Sequence, residues 1–183
     1  MKFFQQKIKD VYVIEAAPHM DKRGIFRRSF CEKEFSKYSI MKNIRQCNVS
    51  ENRFKHTLRG FHIQKEPYVE EKLISCLQGE IYDVVVDLRQ ASSTYLQWIS
   101  IVLSQNNRKS LYIPSGCANA FLTLKGSSTI FYYHSEFYVP QVEQGIRYDD
   151  PTFHFKWPYQ PKIISKKDQS YKNYSLDHQK VLL

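Results

Sequence analysis

The sequence predicts an all-β fold, an antiparallel jelly roll with a few short peripheral helices. From residue 44 onward, strand-like segments follow one another at a spacing of roughly ten residues, with no helical pattern between them. Aromatic residues make up 15% of the chain, and 13 Tyr and 12 Phe stand against only 6 Gly, a composition that favours strands over disorder. Short antiparallel strands at this spacing are typical of a sandwich or barrel.

The N-terminal part is expected to contribute two strands and one short helix. Residues 8–17 include an alternating apolar and polar stretch that ends at Pro18, as an edge or exchanged strand would. Residues 21–24, Asp-Lys-Arg-Gly, are typical of a turn that leads into a second strand. Residues 32–41 carry apolar side chains three apart among Glu and Lys, which indicates a helix.

The remaining strands are expected at 44–50, 57–63, 72–78, 80–88, 96–103, 109–113, 119–124 and 129–138. The clearest hairpin spans residues 77–88 and places Asp83 opposite a row of valines. If the Asp83 face lines the barrel interior, Asp83 enters a pocket; if it faces water, Asp83 is merely solvated. After Pro140 the chain should wrap the barrel as loops and short helices, so that residues 1–183 form one domain.

The formal charge of +9 favours an anionic partner. Lysines are spread along the chain and no recognition-helix or zinc-finger pattern occurs, so a small phosphorylated ligand is expected and nucleic acid is not. The four cysteines are widely separated, which indicates reduced, buried thiols in a cytoplasmic protein. No apolar run approaches the roughly 18 residues of a membrane span, so we expect no membrane partner.

Residues 56–64, followed by Lys72, contain the densest set of reactive groups. Arg59, Gly60 and His62 fall within four positions of a strand-like segment, and a hairpin would return Lys72 to the same neighbourhood. A base and a cation would then face one pocket. The simpler alternative is that Arg59 and His62 are solvated strand residues.

Other kinds of site are poorly supported by the sequence. A metal centre needs three or four ligands, but His62 has no second histidine on its strand, and Asn119 stands where another might have come. Cys117 lacks an identifiable activating base. We therefore expect no metal and no other cofactor, although a metal-dependent cupin such as an oxygenase remains an alternative. Proton transfer next to a carbonyl, which is the chemistry of an epimerase, fits the remaining groups.

Several blocks of the sequence together resemble the dTDP-4-dehydrorhamnose 3,5-epimerase family over about residues 5–170. They are Leu58–Gln64, Lys72–Leu73, Gly79–Arg89, Tyr112–Phe121, Gly145–Pro151 and Ser165–Asp168. The resemblance implies a metal-free, cupin-type jelly roll. It also implies a homodimer, in which the N-terminal strands, about residues 1–30, complete the partner's site, and a nucleotide-diphosphate 4-keto sugar as substrate.

The resemblance also implies a role for each matching residue. His62 would be the general base, Asp168 the carboxylate that orients it, Lys72 the cation at the developing enolate, and Tyr132 the general acid, with Tyr133 and Tyr138 as competitors. Without the resemblance, Asp168 is equally a surface turn residue and Tyr132 a core residue. The residues expected to bind substrate are Arg23, Phe26, Arg28, Gln46, Asn48, Arg59, Asn119 and Tyr138.

The chain departs from the family pattern at two positions. Asn119 replaces a histidine and cannot carry a proton, which could limit epimerisation to C3 instead of C3 and C5. Arg28 replaces an acidic residue implied in thymine recognition, and arginine presents donors that suit the O6 and N7 acceptors of guanine. We therefore expect a GDP-linked 4-keto-6-deoxyhexose or 4-keto-heptose used for cell-surface polysaccharide. The alternatives are dTDP-4-keto-6-deoxyglucose, as in rhamnose synthesis, and a catalytically silent nucleotide-sugar-binding cupin.

Overall fold

A computed structural model describes residues 1–174, which form two stacked β-sheets and a small hairpin. The helices are short: α1 spans Glu32–Phe35, followed by a 3-10 turn at Ser36–Tyr38, and α2 spans Lys166–Ser170. The strands are β1 Lys2–Gln5, β2 Tyr12–Glu15, β3 His19–Asp21, β4 Gly24–Phe26, β5 Gln46–Asn52, β6 Thr57–Gln64, β7 Lys72–Gln78, β8 Glu80–Asp87, β9 Trp98–Ser104, β10 Lys109–Ile113, β11 Cys117–Thr123, β12 Ser128–His134, β13 Glu143–Gly145 and β14 Ile163–Ile164.

The first sheet has the strand order β1-β2-β10-β7-β12-β5, and the second has the order β13-β6-β11-β8-β9. Every pair within these orders is antiparallel, while the short β14 adds to β6 in parallel. The hairpin β3–β4 stands apart as a two-stranded sheet. This architecture confirms the predicted all-β jelly roll.

Three apolar clusters hold the layers together. The central cluster lies between the sheets and includes Ile74 from β7 and Val85 from β8. A second cluster, around Phe61 and Val84, covers the outer face of the second sheet with the C-terminal segment. A third packs Phe35 of α1 on the outer face of the first sheet. Since both faces of β8 are buried, its apolar residues run nearly without interruption.

The predicted 77–88 hairpin is wrong. β7 pairs with β10 and β12, whereas β8 pairs with β9 and β11, so the chain crosses from one sheet to the other at Gly79. Gly79 has a φ of +78°, and a Cβ there would lie 2.3 Å from the Ser128 hydroxyl. A glycine before an apolar strand therefore marks this crossing and not a hairpin turn.

The N-terminal and C-terminal parts also differ from expectation. The strand expected over 8–17 is only β2, which lies inside the first sheet between β1 and β10 and is not an edge. The helix expected over 32–41 is one α-helical turn followed by the 3-10 turn. The expected C-terminal wrapping holds through residue 174; residues 175–183 lie outside the described part.

The cysteines and helices give two smaller results. Cys76 and Cys117 are buried as expected, but Cys47 is exposed on β5 and Cys31 is partly exposed. Within residues 1–174, no helix has both the length and the apolar character needed to cross a bilayer.

Candidate active site

A cavity of about 250 Å³ opens between the two sheets at the ends of β6, β7 and β12. Polar and charged side chains dominate its wall. The lining residues are Asn48, Val49, Ser50, Arg59, His62, Glu70, Lys72, Asn119, Phe121, Tyr132, His134, Tyr138 and Glu143. The cavity therefore gathers seven of the residues expected from the sequence, namely Asn48, Arg59, His62, Lys72, Asn119, Tyr132 and Tyr138.

His62 and Asp168 form a hydrogen-bonded pair at this cavity, although 105 residues separate them in the chain. Their contact joins His62 Nε2 and Asp168 Oδ1 at 2.8 Å. The short strand β14 pairs with the start of β6 and so places α2, which carries Asp168, beside His62. Ser165 caps α2 by accepting a hydrogen bond from the Asp168 backbone N–H. Asp168 is thus a buried partner of the imidazole and not a surface turn residue.

Gly60 makes the close approach around this pair possible. Its backbone N–H donates to Asp168 Oδ2 at 3.2 Å, so both carboxylate oxygens are engaged. The φ of Gly60 is +106°, and a Cβ at this position would lie 2.5 Å from the Asn119 carbonyl oxygen on β11. Only glycine fits here.

The pairing fixes the proton on the His62 ring. A carboxylate accepts, so Nε2 carries the proton toward Asp168, and Nδ1 keeps a free lone pair. Burial alone would raise the pKa of the Asp168 carboxyl, but its hydrogen bonds with His62 and Gly60 hold that pKa below the usual value. Nδ1 lies 3.9 Å from Glu143 Oε1, so an imidazolium would face two carboxylates.

Lys72 places a buried ammonium beside His62. Its Nζ donates to the His62 carbonyl oxygen at 3.1 Å and to Asn119 Oδ1 at 3.2 Å, and lies 3.3 Å from Glu70 Oε1. The side chain is only 7% exposed. β6 and β7 belong to different sheets, so these residues meet across the cavity and not through the expected hairpin. Three acceptors hold the cation in one position.

Asn119 links Lys72 to a buried acid. Its amide nitrogen lies 3.4 Å from Asp83 Oδ2, while its oxygen accepts from Lys72. Asp83 is fully buried and shares its strand face with Val85 of the central cluster, so this face is the interior one. Burial raises the Asp83 pKa to about 8, against the opposing effects of Asn119 and Lys72. Asn119 therefore holds Lys72 in place by hydrogen bonding, without a proton of its own to transfer.

Of the three candidate tyrosines, Tyr132 fits the acid role best. It faces the cavity from the first sheet, opposite His62. Burial and the nearby Asp83 carboxyl raise the Tyr132 pKa, which keeps its phenol protonated. Tyr133 points to the opposite side of β12 and packs against the cluster around Phe35. Tyr138 lines the cavity, but its hydroxyl already donates to Glu143 at 2.6 Å.

Arg59 and Asn48 flank the cavity, as expected for substrate-binding residues. Arg59 Nε donates to Asn52 at 2.8 Å, and the rest of its guanidinium remains exposed. Gln46 does not line the cavity itself; its side chain donates to Asn48 Oδ1 at 3.1 Å. Gln46 therefore supports a lining residue instead of facing the ligand space.

Arg23, Phe26 and Arg28 do not join these residues within one chain. Arg23 and Phe26 lie on the exposed β3–β4 hairpin, where Arg23 pairs with Asp21. The Arg28 guanidinium pairs with Glu34 Oε1 at 2.9 Å. This contact uses one end of the guanidinium, and the Arg28 side chain remains 60% exposed.

Three polar residues of the cavity were not expected from the sequence, namely Glu70, His134 and Glu143. His134 lies two positions after Tyr132 on β12, and residues two apart in a strand share a face, so the alternation rule would have found it. Glu70 precedes β7 and Glu143 follows a loop, so neither carries such a signal.

The arrangement suits proton transfer at carbon. One wall offers an oriented imidazole, and the other offers a phenol and an ammonium. Across residues 1–174, no group of three or more His, Cys, Asp or Glu side chains is arranged to hold a metal ion.

Comparison with known proteins matches residues 5–175 to the family model of dTDP-4-dehydrorhamnose 3,5-epimerase. The chain is 36% identical to the Shigella flexneri enzyme of that name, over 92% of this chain and 93% of the relative. It also resembles the Bacillus anthracis dTDP-4-dehydrorhamnose 3,5-epimerase crystallised with TDP and PPi (TM-score 0.91, 34% identity, 94% of this chain and 99% of that chain). The dTDP-6-deoxy-D-glucose-3,5-epimerase of Legionella pneumophila, in complex with dTDP-4-keto-L-rhamnose, gives a TM-score of 0.93 at 33% identity over 99% and 96%.

Proposed function

Because the chain belongs to the dTDP-4-dehydrorhamnose 3,5-epimerase family, we propose that it inverts C3 and C5 of dTDP-4-keto-6-deoxyglucose. It is an isomerase, and its substrate class is a nucleotide-linked sugar. The observation that carries the finer proposal is the His62–Asp168 pair at 2.8 Å, facing Lys72 and Tyr132 across one cavity.

The proposed reaction uses these four residues in turn. His62 Nδ1 takes a proton from the carbon next to the C4 ketone, and the electron pair of the broken C–H bond moves onto the ketone oxygen. Lys72 stabilises the resulting enolate, and Asp168 stabilises the imidazolium. Tyr132 then donates its proton to the opposite face of the same carbon. The C–H bond re-forms with inverted configuration, and solvent exchange resets His62 and Tyr132.

The comparisons favour the dTDP-linked sugar over the GDP-linked one expected from Arg28. Each relative reported above carries dTDP in its name. The expected heptose has no support in the cavity or the comparisons.

A second candidate is inversion at C3 alone, which Asn119 favours. Asn119 cannot donate or accept a proton in the reaction, so a step that needs a charged or proton-carrying group at this position would be lost. Its two contacts, with Lys72 and Asp83, nevertheless keep the ammonium in place. The C4 oxygen beside Lys72 carries the enolate charge whichever of the two carbons loses its proton, which supports double inversion.

We further propose that the β3–β4 hairpin completes the site of a second subunit in a homodimer. Phe26 is 75% exposed and the Arg23 side chain 90% exposed, and neither reaches the cavity of its own chain. An aromatic ring and a guanidinium are the groups that would stack on a base and bind a diphosphate. Their exposure supports a role on another subunit.

Parallel assays with the dTDP- and GDP-linked 4-keto-6-deoxy sugars test this proposal. NMR of the products would give the configuration at C3 and C5. We expect turnover of the dTDP compound with inversion at both carbons, and kcat/KM lower by more than about tenfold for the GDP compound. Preference for the GDP compound would contradict the dTDP assignment, inversion at C3 alone would favour the second candidate, and binding without turnover would indicate a silent binder.

A further inference from the structure

A second histidine–carboxylate pair lies in the same cavity. His134 Nδ1 is 2.7 Å from Glu70 Oε2, and the two side chains are 13% and 10% exposed. Glu70 also holds Lys72 through its other oxygen, at 3.3 Å. His134 stands on β12 of the first sheet, whereas His62 stands on β6 of the second. The two pairs therefore belong to opposite walls.

A chain of hydrogen bonds fixes the proton on the His134 ring. The Tyr138 backbone N–H, which can only donate, bonds to Gln46 Oε1 at 3.1 Å. The other end of that amide must then donate, and it bonds to Asn48 Oδ1 at 3.1 Å. The Asn48 amide nitrogen in turn donates to His134 Nε2 at 3.3 Å.

The consequence is a single tautomer of the neutral ring. Nε2 accepts from Asn48, so it carries no proton, and Nδ1–H donates to the Glu70 carboxylate. His134 thus keeps an unprotonated ring nitrogen, which the Asn48 amide occupies, on a ring that lies nearly parallel to that of Tyr132 at a centroid distance of 5.7 Å. Asn48 is an exposed residue, so water can replace its amide at this nitrogen. The Glu70 carboxylate lies 2.7 Å from Nδ1 and so faces the ring when the ring carries a charge.

The proposed reaction leaves a task for such a group. In a glucose-configured chair the hydrogens on C3 and C5 are both axial and point to the same side of the ring. His62 takes them one after the other, releasing the first to solvent before it removes the second, and the opposite wall must return two protons. Tyr132 holds only one, and it cannot supply a second until its phenolate is protonated again.

We propose that His134, held by Glu70, is the second proton donor of the Tyr132 wall. Nε2 takes a proton from water to form an imidazolium. The N–H bond then breaks as the enolate electron pair forms the second C–H bond, and the ring returns to its neutral form. His62 releases the proton that it removed to solvent, so no proton is consumed overall. This inference rests on the proposed double epimerisation.

The role of His134 as second proton donor is tested by analysing the products that His134→Gln forms from dTDP-4-keto-6-deoxyglucose in heavy water. The wild-type protein is measured first, and label at fewer than two carbons would contradict both double inversion and the need for a second donor. Where the wild type labels both carbons, we expect His134→Gln to label and invert one carbon within about twofold of the wild-type rate. Inversion of the other carbon should fall about 100-fold, so that a singly inverted sugar accumulates. The exposed His154→Gln is the matched control and should give the wild-type product.

Two outcomes would overturn the role of His134 while leaving the proposed function intact. One is formation of the doubly inverted product by His134→Gln at the wild-type ratio. The other is an equal slowing at both carbons, as replacement of a purely structural residue would give. Glu70→Gln should shift the product ratio in the same direction as His134→Gln, because the amide cannot stabilise the imidazolium. Independently, ¹⁵N NMR of the wild-type protein should show Nδ1–H and a bare Nε2 on His134; the opposite tautomer would contradict the inference.

Discussion

The cavity between the sheets and the β3–β4 hairpin differ in what their charged side chains contact. In the cavity, Lys72 is 7% exposed and meets three acceptors, and His62 is paired with the buried Asp168. On the hairpin, the Arg23 side chain is 90% exposed and meets only Asp21, its neighbour two positions away. The groups proposed for proton transfer are thus assembled within one chain, whereas Arg23 and Phe26, which are proposed to bind the nucleotide, do not reach that cavity.

From this difference we expect proton transfer to depend on the cavity and nucleotide binding to depend on the hairpin. Buried side chains that are held by several hydrogen bonds are preorganised for the reaction. Substituting them should lower kcat, because they act through their fixed positions. Exposed groups on a two-stranded hairpin have few contacts to lose within their own chain, so altering them should change affinity. Substitutions in the two regions should therefore affect kcat and KM differently.

The largest effect is expected for Asp168→Asn. The amide can present its NH₂ to His62 Nε2 and stabilise the wrong tautomer, with the proton on Nδ1, the atom that must accept. We expect kcat to fall roughly 1,000-fold with little change in KM. Steady-state kinetics would check this, with the surface variant Asp149→Asn, whose carboxylate pairs with Arg147, as control. A loss of less than tenfold would show that the pair does not orient a base.

Tyr132→Phe should give the next largest effect. It removes one phenol oxygen from the cavity wall and leaves the ring packed in place, so we expect kcat to fall about 100-fold. Tyr133→Phe is a close control, because it alters the next residue on the same strand but on the opposite face. Equal losses in the two variants would argue against an acid role for Tyr132.

A smaller effect, and of a different kind, is expected for Arg23→Ala on the hairpin. Loss of a charge-assisted contact to the diphosphate should raise KM about tenfold while kcat stays within about twofold of wild type. Lys22→Ala, in the same turn, controls for the general loss of positive charge. A fall in kcat at unchanged KM would place Arg23 among the preorganised groups and remove the contrast between the two regions.

The smallest effect on activity is expected for Asp83→Asn. This variant instead tests whether the buried Asp83 carboxyl is protonated in the folded protein. Burial raises the Asp83 pKa from 3.8 to about 8, so the folded protein holds a proton that the unfolded chain has already lost. Between these values the wild-type free energy of unfolding should therefore fall with rising pH, relative to the variant, by up to about 1.4 kcal/mol per pH unit. Denaturant titrations at several pH values would measure this. Parallel curves for the two proteins would contradict the shift.

The sequence predicted the strands better than their partners. Every strand expected after residue 44 is present within a few residues of its expected bounds, because alternation and turn residues are local signals. The crossing at Gly79 was mistaken for a hairpin, since β8 is buried on both faces and its pattern does not reveal its sheet. Strands β13 and β14 are too short to show an alternation of apolar and polar residues.

In the candidate site, too, the strands that carry the residues were predicted, but contacts between distant parts of the chain were not. His62, Lys72 and Asn119 lie on predicted strands and meet in the cavity, whereas the approach of Asp168 depends on β14, which no local pattern reveals. The Arg28–Glu34 pair was missed because a sequence shows that arginine is a donor but does not show which acceptor it contacts. The alternation rule applied to β12 would have added His134.

Deuterium exchange followed by NMR tests most directly whether His62 is the base. Wild-type protein and His62→Asn are each incubated with dTDP-4-keto-6-deoxyglucose in heavy water. The asparagine keeps a polar side chain of similar reach beside Asp168 but cannot take up a proton. We predict label at C3 and C5 with the wild-type protein and none with the variant. Full exchange by His62→Asn would contradict the assignment of His62 as the base.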